Sequence, residues 1–122
     1  DAIDIQYKTS DKNFTIMGVS GIIFYTDKKK IKECYKKMDL ITFEIRSLFS
    51  NVHETPKKTS VHTGMDDEGK STYTGVYFEF DNQDNIAIQC YNYSVETDDQ
   101  NHLRIGINTS EYRYFLANSA YN

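Results

Sequence analysis

The sequence predicts an α+β domain: an antiparallel sheet of four to six strands with one long amphipathic helix packed on one face. Three observations carry this reading. Residues 71–94, STYTGVYFEFDNQDNIAIQCYNYS, alternate apolar and polar side chains on both sides of Asp81-Asn82-Gln83-Asp84. That is the period of a strand, whose successive side chains point to opposite faces. Residues 28–49 repeat apolar side chains in steps of three and four, which lays one stripe along a helix. Each of these apolar faces needs cover, and each segment is the natural cover for the other. A chain of 122 residues reads as one domain over residues 1–122, large enough to bury roughly two thirds of its unfolded surface in one core.

The elements follow in chain order. In residues 1–25, Ile3, Ile5 and Tyr7 alternate with Asp4 and Gln6, and the run Ile22-Ile23-Phe24-Tyr25 reads as an internal strand. Gly18 and Gly21 suggest a bulge or bend between them. Asp27 suits a helix start, its carboxylate accepting from open backbone N–H groups. The helical stripe consists of Ile31, Cys34, Tyr35, Met38, Ile41, Ile45, Leu48 and Phe49. Asn51 and Pro56 end it, because the residue before a proline is pushed out of helical geometry. Lys28, Lys29, Lys30 and Lys32 crowd its first turns, against the helix dipole. They read as a solvated basic face, with a contact patch as the alternative. Residues 52–70 form a polar loop, with room for one short strand near Val61. The hairpin has Val76, Phe78 and Phe80 on one arm and Ile86, Ile88 and Cys90 on the other as its core face. Leu103, Ile105 and Ile107 make a further strand. Ser110 then caps a short helix holding Tyr112, Phe115 and Leu116; a strand with Tyr112, Tyr114 and Leu116 inward is the alternative.

Cys34 falls on the apolar stripe of the helix and Cys90 on the apolar face of the hairpin. A helix packed on that sheet brings both thiols into one interface, so a Cys34–Cys90 disulfide is expected; two buried reduced thiols are the alternative. A chain starting at Asp1 is consistent with removal of a signal peptide or with trimming. Together these favour an exported, oxidising compartment, with the cytoplasm as the alternative.

Eighteen acidic residues against fourteen basic ones give a net charge of −4. That argues against nucleic acid, where phosphate neutralisation needs a basic face, and suits a basic protein partner. No apolar run approaches the roughly 18 residues of a membrane span.

No reaction is spelled out. His53, His62 and His102 lack metal-ligand spacing and read as exposed loop histidines. Ser20, in Gly18-Val19-Ser20-Gly21, lacks the full nucleophile elbow. Glu79, Asp66 and Asp67 could supply a glycosidase carboxylate pair, but nothing marks any two as buried at the needed separation. The expectation is a non-enzyme without metal or cofactor.

The second face of the hairpin carries Tyr73, Tyr77, Glu79, Gln89, Tyr91 and Tyr93. Tyrosines on a strand face offer broad contact at low entropy cost and are enriched at interfaces. Either they are exposed or another element covers them. With the acidic loops, Asp66, Asp67 and Glu68 in one and Glu96, Asp98 and Asp99 in the other, they form the candidate docking surface for a basic protein.

This format over the whole chain, with a mature-looking start, about 120 residues, one expected disulfide and an acidic antiparallel domain, resembles the small periplasmic immunity proteins that guard a bacteriocin producer. It looks most like the pesticin-immunity type. The helix-then-meander order resembles a cystatin-like arrangement. The family resemblance implies a non-enzymatic inhibitor of a lysozyme-like peptidoglycan hydrolase, acting by occlusion. An acidic side chain or a tyrosine from a loop would then plug a saccharide cleft. A structural or assembly module of a surface or secretion system is the alternative function, and a small glycoside hydrolase the third.

Overall fold

A computed structural model describes residues 1–64, 66 and 68–119. Its elements run β1 (Ala2–Tyr7), β2 (Ile16–Tyr25), α1 (Ile31–Leu48), β3 (His53–Glu54), β4 (Lys58–Val61), β5 (Thr72–Glu79), β6 (Asn85–Asn92), β7 (Asn101–Asn108) and α2 (Ser110–Asn118). All strands pair antiparallel in one seven-stranded sheet, ordered β1-β2-β7-β6-β5-β3, with β4 also on β5. The architecture is the expected α+β one. The strand count exceeds the expected range because the outer neighbour of β5 is broken in two around Pro56, which has no N–H to give a ladder. Thr55 bridges the break. Its N–H donates to the Tyr77 carbonyl and its hydroxyl accepts from the Tyr77 N–H. β4 is the short strand expected near Val61.

The hairpin forms as read, with Phe78 opposite Ile86, Val76 opposite Ile88 and Thr74 opposite Cys90. Its turn places Gln83 at φ 70°, and the Asn82 side chain accepts from the Asp84 N–H. Asp27 caps a 3-10 turn over Lys28–Lys30, accepting from the Lys29 N–H at 3.0 Å, and that turn leads into α1. The capping residue of α2 is Thr109, one position before the expected Ser110; its hydroxyl accepts from the Tyr112 N–H.

α1 lies across β6 and β7. Its Cys34 and Met38 join Val76, Phe78, Ile86, Ile88, Cys90 and Leu103 in the buried core, with Ile31, Tyr35, Ile41 and Ile45 packed around it. Two helix positions differ from the expected stripe. Thr42 is buried, since its hydroxyl donates to the Met38 carbonyl at 2.8 Å and leaves no unmet polar group. Leu48 is 72% exposed at the last turn, beyond the edge of the core. The Cys34–Cys90 disulfide forms, with Cα atoms 6.1 Å apart across a sequence separation of 56. Closing a loop of that length stabilises the fold by about 4 kcal/mol on the chain-entropy model.

α1 covers only part of its face of the sheet. Ile5, Val19 and Ile107 lie side by side across β1, β2 and β7 in the row that continues to Ile86 and Phe78. The first three are exposed, Ile107 by 61%, whereas Ile86 and Phe78 are buried.

Candidate functional site

The opposite face of the same strands is open. Its side chains are the odd-numbered ones of β5 and β6 and the even-numbered ones of β7, as the pleat dictates. One row across the sheet reads Phe24, His102, Tyr91, Tyr73; the next reads Ile22, Arg104, Gln89, Gly75; a third reads Asp4, Ser20, Gly106, Ala87, Tyr77. The first row is an aromatic wall. Tyr91 stacks on His102 with centroids 4.5 Å apart and on Tyr73 at 5.9 Å and Tyr93 at 6.0 Å. His62, from the loop after β4, packs against all three tyrosines. The Tyr91 hydroxyl donates to Gln89 Oε1 at 3.1 Å, and Gln89 Nε2 donates to the Tyr77 hydroxyl at 2.8 Å.

All four predicted tyrosines are half-buried; Tyr73, Tyr91 and Tyr93 are packed with one another and with histidine, whereas Tyr77 lies by Gly75 and accepts from Gln89. Burial pushes the Tyr91 phenol well above its ordinary range, so it stays a neutral hydrogen-bonding group. Burial also lowers the pKa of His102, outweighing the hydrogen bond to the Gln100 carbonyl. His102 therefore corrects the expectation of an exposed loop histidine. It lies inside β7, buried in the wall, whereas His53 is exposed.

The third row has small side chains at its centre, and they floor a cleft of about 490 Å³. The aromatic wall closes one end and Tyr112 and Leu116 of α2 close the other. Arg104 leans to Asp4, 3.1 Å away, on the β1 side.

The two acidic loops meet at the wall end of the sheet, because β5 begins where β6 ends. Ser71 Oγ accepts from the Ser94 N–H at 2.9 Å, and Lys70 Nζ sits between Glu68 and Glu96, 2.9 Å from the latter. The residues do different work. Asp66 is an internal fastening: it accepts from the Lys70 and Ser71 N–H groups at 2.8 and 2.9 Å. The Ser71 side chain, then those N–H groups, hold its carboxyl below the usual range. Asp67 lies outside the described residues. Asp98 and Asp99 are exposed at the tip of the β6–β7 loop and enter no ion pair among the described residues.

That loop is fastened from below by Lys28, whose ammonium donates to the Ser94 and Thr97 carbonyls. Lys28 is thus partly buried and internally used, unlike the solvated face expected for the lysine run; Lys29, Lys30 and Lys32 are exposed.

Asp66 and Glu79, two of the carboxylates first considered for glycoside hydrolysis, do not come together. Asp66 bonds at the start of β5, and Glu79 at its end pairs with Arg113. The eight-residue strand between them spans roughly 25 Å, against the roughly 5–10 Å such a pair needs. Among the described residues no three His, Cys, Asp or Glu side chains cluster as a metal site requires, and no helix is long and apolar enough to cross a membrane.

Comparison with protein-family models, with curated proteins and with solved structures returns no match. Sequence reasoning missed the cleft. Ser20, Ala87 and Gly106 carry no chemical signal, and Asp4 meets Arg104 from a hundred positions away.

Proposed function

We propose that the protein is a non-enzymatic binding protein of the immunity or inhibitor kind, acting in the periplasm by blocking a cationic, lysozyme-type peptidoglycan hydrolase. One observation carries this reading: most of the residues picked out for docking lie at one end of the sheet. Glu68 and Glu96 share Lys70, Asp98 and Asp99 project beside them, and Tyr73, Tyr91 and Tyr93 form the wall immediately behind. A carboxylate rim over an aromatic base steers a cationic partner and then gives it apolar contact area. The disulfide suits an oxidising compartment. Tyr77 lies deeper on the face, where it orders Gln89 rather than meeting the partner.

The test is lysis of a cell-wall suspension by a cationic lysozyme-type muramidase, titrated with this protein. Stoichiometric 1:1 inhibition that weakens with salt is the expected result. Undiminished lysis at equimolar protein and low salt would overturn the reading.

A second reading, a structural or assembly module, draws on the uncovered Ile5, Val19 and Ile107 beside α1. Homotypic contact through that face predicts a molar mass by light scattering that rises with concentration. A constant monomer mass removes it.

A further inference from the structure

The cleft on the open face shares only its aromatic wall with the docking reading and has the features of a small-molecule site. Its volume, about 490 Å³, falls within the roughly 300–1,000 Å³ of ligand pockets. The floor is flat because Ser20, Gly106 and Ala87 are small, and it is held so: a Cβ on Gly106 would stand 2.9 Å from Ser20 Oγ. Larger side chains rise on two sides, the Asp4–Arg104 pair on one and the Gln89–Tyr77 pair on the other.

The charge of the lining selects the ligand. Its one guanidinium already faces its one carboxylate; of its two histidines, His102 is disfavoured as a cation by its burial, and His62 is packed against Tyr73, Tyr91 and Tyr93. The lining thus offers no unpaired permanent charge to hold a phosphate, a carboxylate or an ammonium group. What remains is a ring of hydroxyls and side-chain amides between aromatic surfaces.

We propose that this cleft binds a neutral, polyhydroxylated ligand of mono- or disaccharide size, seated over Gly106 between Arg104 and Gln89. Hydroxyl groups match the mixed donors and acceptors of the lining, and the apolar face of a sugar ring matches the aromatic wall. This site shares the aromatic wall with the docking reading but not its loop carboxylates, so variants of the cleft floor test it apart from that reading.

The experiment is amide-detected NMR titration of the folded protein with cellobiose and with N,N′-diacetylchitobiose, with glucose 6-phosphate as the anionic comparison. Saturable shifts at the amides of Ser20, Ala87, Gln89, Arg104 and Gly106 are expected for at least one neutral disaccharide. Ala87→Leu, which raises the floor, should weaken that binding at least tenfold while the remaining spectrum stays dispersed. Gln89→Leu, on a half-buried position of similar volume, serves as the second variant and should weaken it several-fold. Absence of saturable shifts with both disaccharides, affinity unchanged in both variants, or tighter binding of glucose 6-phosphate than of the neutral sugars overturns the proposal.

Discussion

Two faces of one strand make the contrast in this molecule. On β6, Ile86, Ile88 and Cys90 lie under α1 and are fully or almost fully buried, whereas Gln89 and Tyr91, pointing the other way, are half-buried in a hydrogen-bonded aromatic face. Neighbouring residues along the chain thus serve opposite ends. The covered face supplies apolar burial and a covalent pin. The open face, with no helix over its floor, keeps polar groups and space. The difference teaches that the pleat lets a small domain separate what stabilises it from what it presents to other molecules.

The largest expected effect lies on the covered face. Replacing both cysteines, Cys34→Ser with Cys90→Ser, should lower unfolding free energy by about 4 kcal/mol in urea denaturation. A loss under about 1 kcal/mol would show that the pin adds little to the packing. Ile88→Ala should cost about 3 kcal/mol, whereas Gln89→Leu, one residue along, should cost about 1–2 kcal/mol for the hydroxyls it strands. Equal costs would erase the contrast between the faces. Lys28→Met removes the charged donor beneath the β6–β7 loop. A loss of about 1–2 kcal/mol is expected, with faster hydrogen exchange at Thr97.

The open face should reveal itself through pH. Burial lowers the pKa of His102 from its ordinary 6.5, so the unfolded chain binds the proton first as pH falls. The contribution of neutral His102 is therefore complete above about pH 6.5 and is lost as pH drops through the lower folded value. His102→Asn should flatten that slope in urea midpoints measured across the range. The smallest effect on stability is expected at the loop tip. Asp98→Lys with Asp99→Lys should change it by less than about 0.5 kcal/mol, because neither carboxylate is paired among the described residues.

The covered face was largely legible in the sequence, because it is periodic. Val76, Phe78, Ile86, Ile88 and Cys90 alternate at period two, Cys34 and Met38 fall on a helical stripe, and the meeting of these patterns places the disulfide. The errors sit where a local rule gave way to context. Thr42 looks polar but satisfies its hydroxyl within the helix. Leu48 belongs to the stripe but overruns the core. Pro56 divides an edge strand that hydropathy alone reads as loop. The docking end was half legible: tyrosines and acidic runs can be seen in the chain, but their convergence depends on β5 and β6 sharing an end. The use of Lys28 and Asp66 as internal fastenings depends on loop geometry that no spacing encodes. The cleft was invisible, since small residues announce nothing and its walls come from strands far apart in sequence.

The reading of the open face and its acidic rim as the recognition surface is tested most directly by equilibrium capture of a cationic lysozyme-type muramidase. Wild-type protein and the Asp98→Lys, Asp99→Lys variant are compared at rising salt, with urea midpoints taken on the same samples. The expected result is 1:1 capture by the wild type that weakens with salt, at least tenfold weaker capture by the variant, and matching midpoints. Capture that is absent at low salt, or equally tight in both proteins, would contradict the account.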